Sequence, residues 1–140
     1  MPSRAFTFSK TLRLLNASDY QSVFDDAPFR ASHKNILILA RPGKSPGPNN
    51  SPRLGLVIAK KNIRLAVQRN RIKRIARETF RLQQDKLAGI DAIVLARREL
   101  DQLDNAALHK LFNQQWQRII KKANKHQHEK DTYIKKEESR

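Results

Sequence analysis

Residues Arg53–Arg81 read RLGLVIAKKNIRLAVQRNRIKRIARETFR, and the hydrophobic period changes partway along them. Leu54–Ala59 is a short apolar run rich in Leu, Val and Ile, the pattern of a strand buried on both faces. From about Leu65 to Gln83 the period is helical. At about 100° per residue, Ile72, Ile75, Ala76, Thr79, Phe80 and Leu82 gather on one side, and Asn70, Arg71, Lys73, Arg74, Arg77 and Arg81 on the other. A strand feeding such a helix predicts docking on a sheet, with the cationic side turned to water or to a polyanion.

The charge balance favours the polyanion. The stretch holds ten Lys/Arg (Arg53, Lys60, Lys61, Arg64, Arg69, Arg71, Lys73, Arg74, Arg77 and Arg81) against a single acid, Glu78. Charged helix faces are most often plain solvated surface, but they then mix signs, because like charges at i,i+4 repel by a few tenths of a kcal/mol. Lys73–Arg77 and Arg77–Arg81 are both repulsive spacings, and Glu78 answers only locally. Arg also outnumbers Lys here, and its planar fork grips two phosphate oxygens at once. An anionic partner, nucleic acid above all, relieves that repulsion.

The whole chain agrees. It has 140 residues, one domain's worth, with a net charge of +16 and a pI near 10.8. Cysteine is absent, which excludes a disulfide scaffold and thiolate sites. The amino end, MPSRAFTFSK, carries no apolar signal core, and no run approaches a membrane span, so a cytoplasmic protein without membrane contact is expected.

Outward from the central stretch, residues 1–17 read as a basic arm dotted with aromatics. Ser18-Asp19-Tyr20-Gln21 has the form of a capping box, predicting a helix from about Asp19 that turns Tyr20, Val23 and Phe24 inward and stops at Pro28. Asn35–Ala40 reads as a strand. Pro42–Pro52, with four of the six prolines, reads as a flexible loop joining two antiparallel strands. Past Gly89, Ile90–Ala96 reads as a third buried strand, followed by Arg97 and Arg98. Asp104 caps a last helix with Leu108, Leu111, Phe112, Trp116, Ile119 and Ile120 on its apolar line. Residues 1–122 are thus expected to form one RNA-binding domain, and 123–140 a charged, flexible tail. The fold class is α+β: a single small domain with helices packed on a small mixed β-sheet.

Cleavage chemistry is missing from the pattern. The acids are scattered, and no Asp/Glu/His set has the convergence that a two-metal nuclease needs. His126-Gln127-His128 sits in the polar tail. His33 and His109 stand alone, and Ser9, Ser18 and Ser32 have turn or capping roles. Gly43 and Gly47 lie among prolines, which lack the N–H donors of a phosphate cradle. No catalytic residue and no metal ligand is assigned.

The string RLGLVIAKKN followed by AVQRNRIKRIARETFR closely resembles the signature of the bacterial ribonuclease P protein subunit: a Lys pair (Lys60, Lys61) ending a strand, then Arg69-Asn70-Arg71-Ile72-Lys73-Arg74 opening a helix. The likeness extends over about Phe6 to Ile120, through Leu12-Arg13-Leu14-Leu15, Tyr20 and Phe24, Asp91–Ala96 and Leu103-Asp104-Asn105. It implies a ribosomal protein S5 domain 2-like sandwich whose βαβ crossover is left-handed, where the general rule is right-handed. It implies a holoenzyme in which the RNA subunit is catalytic and binds most of the Mg2+. Arg64, Arg69, Asn70, Arg71, Lys73, Arg74 and Arg77 would bind that RNA; Arg13, Tyr20, Phe24, Lys60 and Lys61 would hold the 5′ leader of precursor tRNA. No obligate protein partner is expected. Core packing is the plainer role for Tyr20 and Phe24. The rival reading is a non-enzymatic RNA-binding module, such as a ribosomal protein or RNA chaperone, which needs the basic helix but no leader cleft. A metal nuclease acting alone would have to cut without the RNA. With the Arg69 and Arg71 side chains read as pointing away from the apolar face, their removal is expected to leave stability almost unchanged.

Overall fold

The computed structural model describes residues 13–43 and 51–138, with side chains described for 14–43 and 51–126. In chain order the elements are β1 (Arg13–Leu14), α1 (Ala17–Asp25), β2 (Phe29–His33), β3 (Ile36–Pro42), β4 (Arg53–Val57), α2 (Ala66–Leu82), β5 (Ile90–Ala96), a 3-10 turn (Leu100–Gln102) and α3 (Asn105–Glu138). The expected strand-to-helix switch is present, and it sets the topology. One mixed sheet runs β1-β4-β5-β3-β2, with β5 parallel to β4 and antiparallel to β3. A parallel neighbour needs a crossover connection, and α2 supplies it.

Strand alternation sends side chains to two unequal layers. On one face Ile36, Ile38, Ala40, Leu54, Ala92 and Val94 pack with Ile72, Ile75 and Phe80 of α2 and Phe112, Trp116 and Ile119 of α3 in the main buried cluster. The Phe80 and Trp116 rings meet edge to face at 5.1 Å, and the Trp116 indole N–H donates to Thr79 Oγ1 at 2.9 Å. Among the described residues the other face is covered by α1 alone: Leu15, Val23, Leu39 and Ile93 are buried there, while Tyr20, Leu37, Val57 and Leu95 remain half-buried. A sheet face left half covered is the feature that positions a site.

Several expectations need correction. The cap of α1 is Asn16, not Ser18: Asn16 Oδ1 accepts from the Asp19 N–H at 3.0 Å and Asp19 Oδ2 accepts from the Asn16 N–H at 3.1 Å. The box at Asn16 starts α1 at Ala17, two residues earlier than expected, and Tyr20 and Val23 still face the sheet. Phe29–His33 is a strand that its polar alternation hides. The chain between β3 and β4 does not join neighbours, since β5 lies between them; residues 44–50 of that loop, the arm before residue 13, the Arg13 side chain and that of His128 lie outside the described residues. Leu82 is exposed. The last helix does not stop near Lys122 but continues to Glu138, through a stretch that contains neither Gly nor Pro to end it.

Arg118 and Lys122 of α3 donate to the Ser32 and Arg30 carbonyls of β2, an edge strand whose outward groups would otherwise be open to pairing. Among the described residues no helix is long and apolar enough to cross a membrane.

Candidate nucleic-acid interface

Gly55 in the middle of β4 explains how α1 sits. A Cβ there would lie 2.7 Å from the Tyr20 ring, so the ring packs directly against bare backbone. Its hydroxyl accepts from the Leu56 N–H at 2.9 Å and reaches the Leu56 carbonyl at 3.5 Å. Strand β1 pairs with β4 only at Arg53 and Leu54, which leaves the Leu56 groups on that edge without a strand partner. The Tyr20 hydroxyl takes the strand's place. Tyr20 is therefore part core residue, as the plainer role required. Phe24, one turn on, is 47% exposed at the rim of the half-covered face.

At the other end of α1 a buried ion network holds the helix down. Arg53 Nε and Nη2 donate to the two Asp91 carboxylate oxygens at 2.8 and 2.7 Å, while Nη1 donates to Asp19 Oδ2 at 2.8 Å. The Asp91 hydrogen bonds, with the Asp91 and Asp19 charges, raise the Arg53 guanidinium above its ordinary range against the opposing pull of burial. It stays charged at any pH at which the chain folds. Arg41, cross-strand from Asp91, adds a hydrogen bond from Nη1 to the Ser22 carbonyl at 3.0 Å.

The open row of the sheet, Leu37–Leu95–Val57, runs toward the turn after β4, where Lys60 and Lys61 are exposed. Beyond it, Arg64 and Arg74 are exposed, and Lys73 and Arg77 half-exposed. None of these six side chains forms a hydrogen bond or ion pair among the described residues. Arg69 and Arg71 differ. Arg69 Nη1 donates to the Ile63 and Arg64 carbonyls at 2.9 and 2.8 Å, clamping the turn before α2 and leaving Nε and Nη2 for an outside acceptor. Arg71 donates from Nε to Gln68, from Nη1 to the Leu103 carbonyl and Asn105 Oδ1, and from Nη2 to the Asp101 carbonyl, at 2.8–3.0 Å. It ties α2 to the segment before α3, so the expectation that its removal leaves stability unchanged is wrong.

Two useful signals lay in the sequence unread. Gly55 inside an apolar strand marks a close approach. Arg98, after β5, lines an open groove with Lys61, Arg64 and Leu65. No group of three or more His, Asp or Glu that could hold a metal ion occurs among the described residues.

Asp19 and Asp91 are turned to Arg53, and Asp25 Oδ1 accepts from Gln21 Nε2 at 2.8 Å. With the Leu56 backbone groups taken by Tyr20 and the Asp19 and Asp91 carboxylates by Arg53, the surface presents apolar area, an exposed aromatic and cations unpaired among the described residues. Proteins that hold single-stranded nucleic acid use such a set, stacking bases beside a positive groove.

Comparison with known proteins gives the same direction. The family model described as Ribonuclease P matches residues 8–120. The chain is 54% identical over 122 residues to the ribonuclease P protein component of Saccharophagus degradans, covering 87% of each. It is 49% identical over 118 residues to that of Chromohalobacter salexigens, covering 84% of this chain and 89% of the relative. Among solved structures, the RNase P protein of Staphylococcus aureus superposes with a TM-score of 0.60 at 22% identity, covering 79% of this chain and 94% of that one.

Proposed function

The chain belongs to the ribonuclease P protein family, and from that premise we propose that it is the protein subunit of a ribonucleoprotein endonuclease that removes 5′ leaders from precursor tRNA in the cytoplasm. The reading is carried by one juxtaposition: an apolar sheet face half covered by the described residues, with Phe24 at its rim, running into cations whose side chains have no partner among those residues. The RNA subunit would perform the chemistry. Magnesium, held mainly by that RNA, would polarise the phosphodiester and supply hydroxide. No step is assigned to this chain's carboxylates. Its own work is to bind: Lys60, Lys61, Arg64, Lys73, Arg74 and Arg77 screen phosphate repulsion, and the cleft beside Tyr20 and Phe24 takes the leader.

Reconstitution tests this. Added to its RNA subunit at low magnesium, the chain is expected to raise multiple-turnover cleavage of precursor tRNA well above RNA alone. No gain would leave only a general RNA-binding module, and cleavage by the protein without RNA would point to a metal nuclease.

The free cations make a second test. An Arg74→Ala/Arg77→Ala variant is expected to flatten log K against log salt for the RNA subunit by about 1.4–1.8, at about 0.7–0.9 per lost phosphate contact, with an unchanged melting temperature. Arg71→Ala is expected to lower the melting temperature instead, because it leaves the Asp101 and Leu103 carbonyls without their donor. An unchanged salt slope in the Arg74/Arg77 variant would remove those residues from the interface.

A further inference from the structure

Leu65, Ala66 and Val67 are three consecutive exposed apolar residues at the start of α2, with Leu65 59% and Val67 69% exposed. A run of exposed apolar side chains is a fault in a soluble surface unless something covers it. The run is also held rigid. Ile63 beside it is fully buried, Asn62 donates to the Ala96 carbonyl at 2.9 Å, and Arg69 clamps the Ile63 and Arg64 carbonyls.

Leu65 forms part of an open groove of about 480 Å³ between this turn and the loop after β5. Lys61, Arg64 and Arg98 supply cations to it, and Glu99 and Asp101 supply carboxylates. Glu99 sits at φ 69°, left-handed backbone that a residue other than glycine adopts at a cost. Leu100 next to it is fully buried and fixes the loop. Apolar surface, cations and carboxylates thus line one groove. An acidic protein segment would be repelled by Glu99 and Asp101, and an apolar one would bury the cations unpaired. An unpaired nucleotide matches all three, with an apolar base face, N–H donors on the base edge and an anionic phosphate.

Resting on the ribonuclease P reading, we propose that this groove receives one unpaired nucleotide of the RNA subunit, its base packed on Leu65 with Val67 extending the platform, its amino edge turned to Glu99 and Asp101, and its phosphate met by Lys61, Arg64 and Arg98. The site adjoins the leader cleft at Lys61, opens on the other side of the turn after β4, and gives the basic helix a way to tell structured RNA with extruded bases from plain duplex.

The test turns on sign. Removing carboxylates from a general polyanion-binding surface raises RNA affinity. Glu99→Ala/Asp101→Ala is expected to do so for a fully paired RNA duplex, yet to weaken binding to the RNA subunit by roughly tenfold, the order of one lost base contact. Leu65→Ser is expected to weaken RNA-subunit binding to a similar degree with no change in salt slope, since no phosphate contact is lost; Leu65→Met keeps the apolar area and the affinity. Binding is compared well below each variant's melting temperature. Tighter or unchanged RNA-subunit binding by either weakening variant overturns the inference, including the case in which the patch covers a second protein. If the unaltered chain binds the RNA subunit no better than duplex, the functional reading falls as well.

Discussion

Arg53→Ala is expected to lower the melting temperature by roughly 10–20 °C, from a loss of about 3–5 kcal/mol. The side chain is 12% exposed and faces Asp91 at 6% and Asp19 at 19%. A buried ion pair adds little net stability when intact, because desolvation offsets the attraction, but removing one partner strands the other charge. Here two carboxylates are stranded at once, and one of them, Asp19, belongs to α1. The same variant is therefore expected to loosen α1 and blunt any preference for leader-bearing RNA. Arg53→Met/Asp91→Leu separates charge from packing: it removes the Asp91 charge and leaves only Asp19, which keeps the Asn16 N–H, without its cation, so part of the lost stability is expected to return. Thermal melts of the two variants decide the matter. An Arg53→Ala melting temperature within a few degrees of the unaltered chain would mean that the network is solvated and does not hold the helix.

The fold was legible where one period ruled a long segment. The stripes of α2 and α3 followed from spacing alone, and of the α2 stripe only Leu82 fails. Leu82 falls within about 20° of Arg71 at 100° per residue, on the flank where position does not decide burial. The same ambiguity hid the role of Arg71. Periodicity put it on the polar side, but it could not show that the Asp101 and Leu103 carbonyls, distant in sequence, come within reach of its guanidinium. At 100° per residue Arg69 falls only about 60° from Ile72, toward the apolar side, and the carbonyls that its Nη1 clamps belong to a turn that no local pattern announces. Strand β2 escaped because Arg30, Ser32 and His33 break its apolar run, and its partner β3 gives it meaning only after folding. The proline loop was assigned to neighbouring strands by a rule of proximity that the insertion of β5 breaks. In the site, residue types pointed to RNA, whereas the division between groups already engaged and groups still free required the tertiary contacts.

Under the proposed function, that division bears on which aromatic would meet the leader. With its ring on Gly55 and its hydroxyl on the Leu56 backbone, Tyr20 contributes mainly by holding α1 in place; the more exposed Phe24 is free to stack. Tyr20→Phe is expected to cost about 1–3 kcal/mol of stability, because the Leu56 N–H loses its acceptor, with a modest change in leader affinity. Phe24→Ala is expected to leave the melting temperature almost unaltered, since the side chain is half in solvent. In the holoenzyme it is expected to weaken precursor tRNA bearing a several-nucleotide leader by roughly tenfold, at about 1–3 kcal/mol per stacked base. Mature tRNA places nothing in the cleft, so its affinity is expected to hold. Tyr20→Ala is expected to show both effects, since the anchor and the neighbouring ring are lost together. Affinities of each holoenzyme for precursor and mature tRNA, with melts of the free proteins, separate these outcomes. Equal losses for the two RNAs in Phe24→Ala would assign Phe24 to packing and move the leader elsewhere on the open row formed by Leu37, Leu95 and Val57.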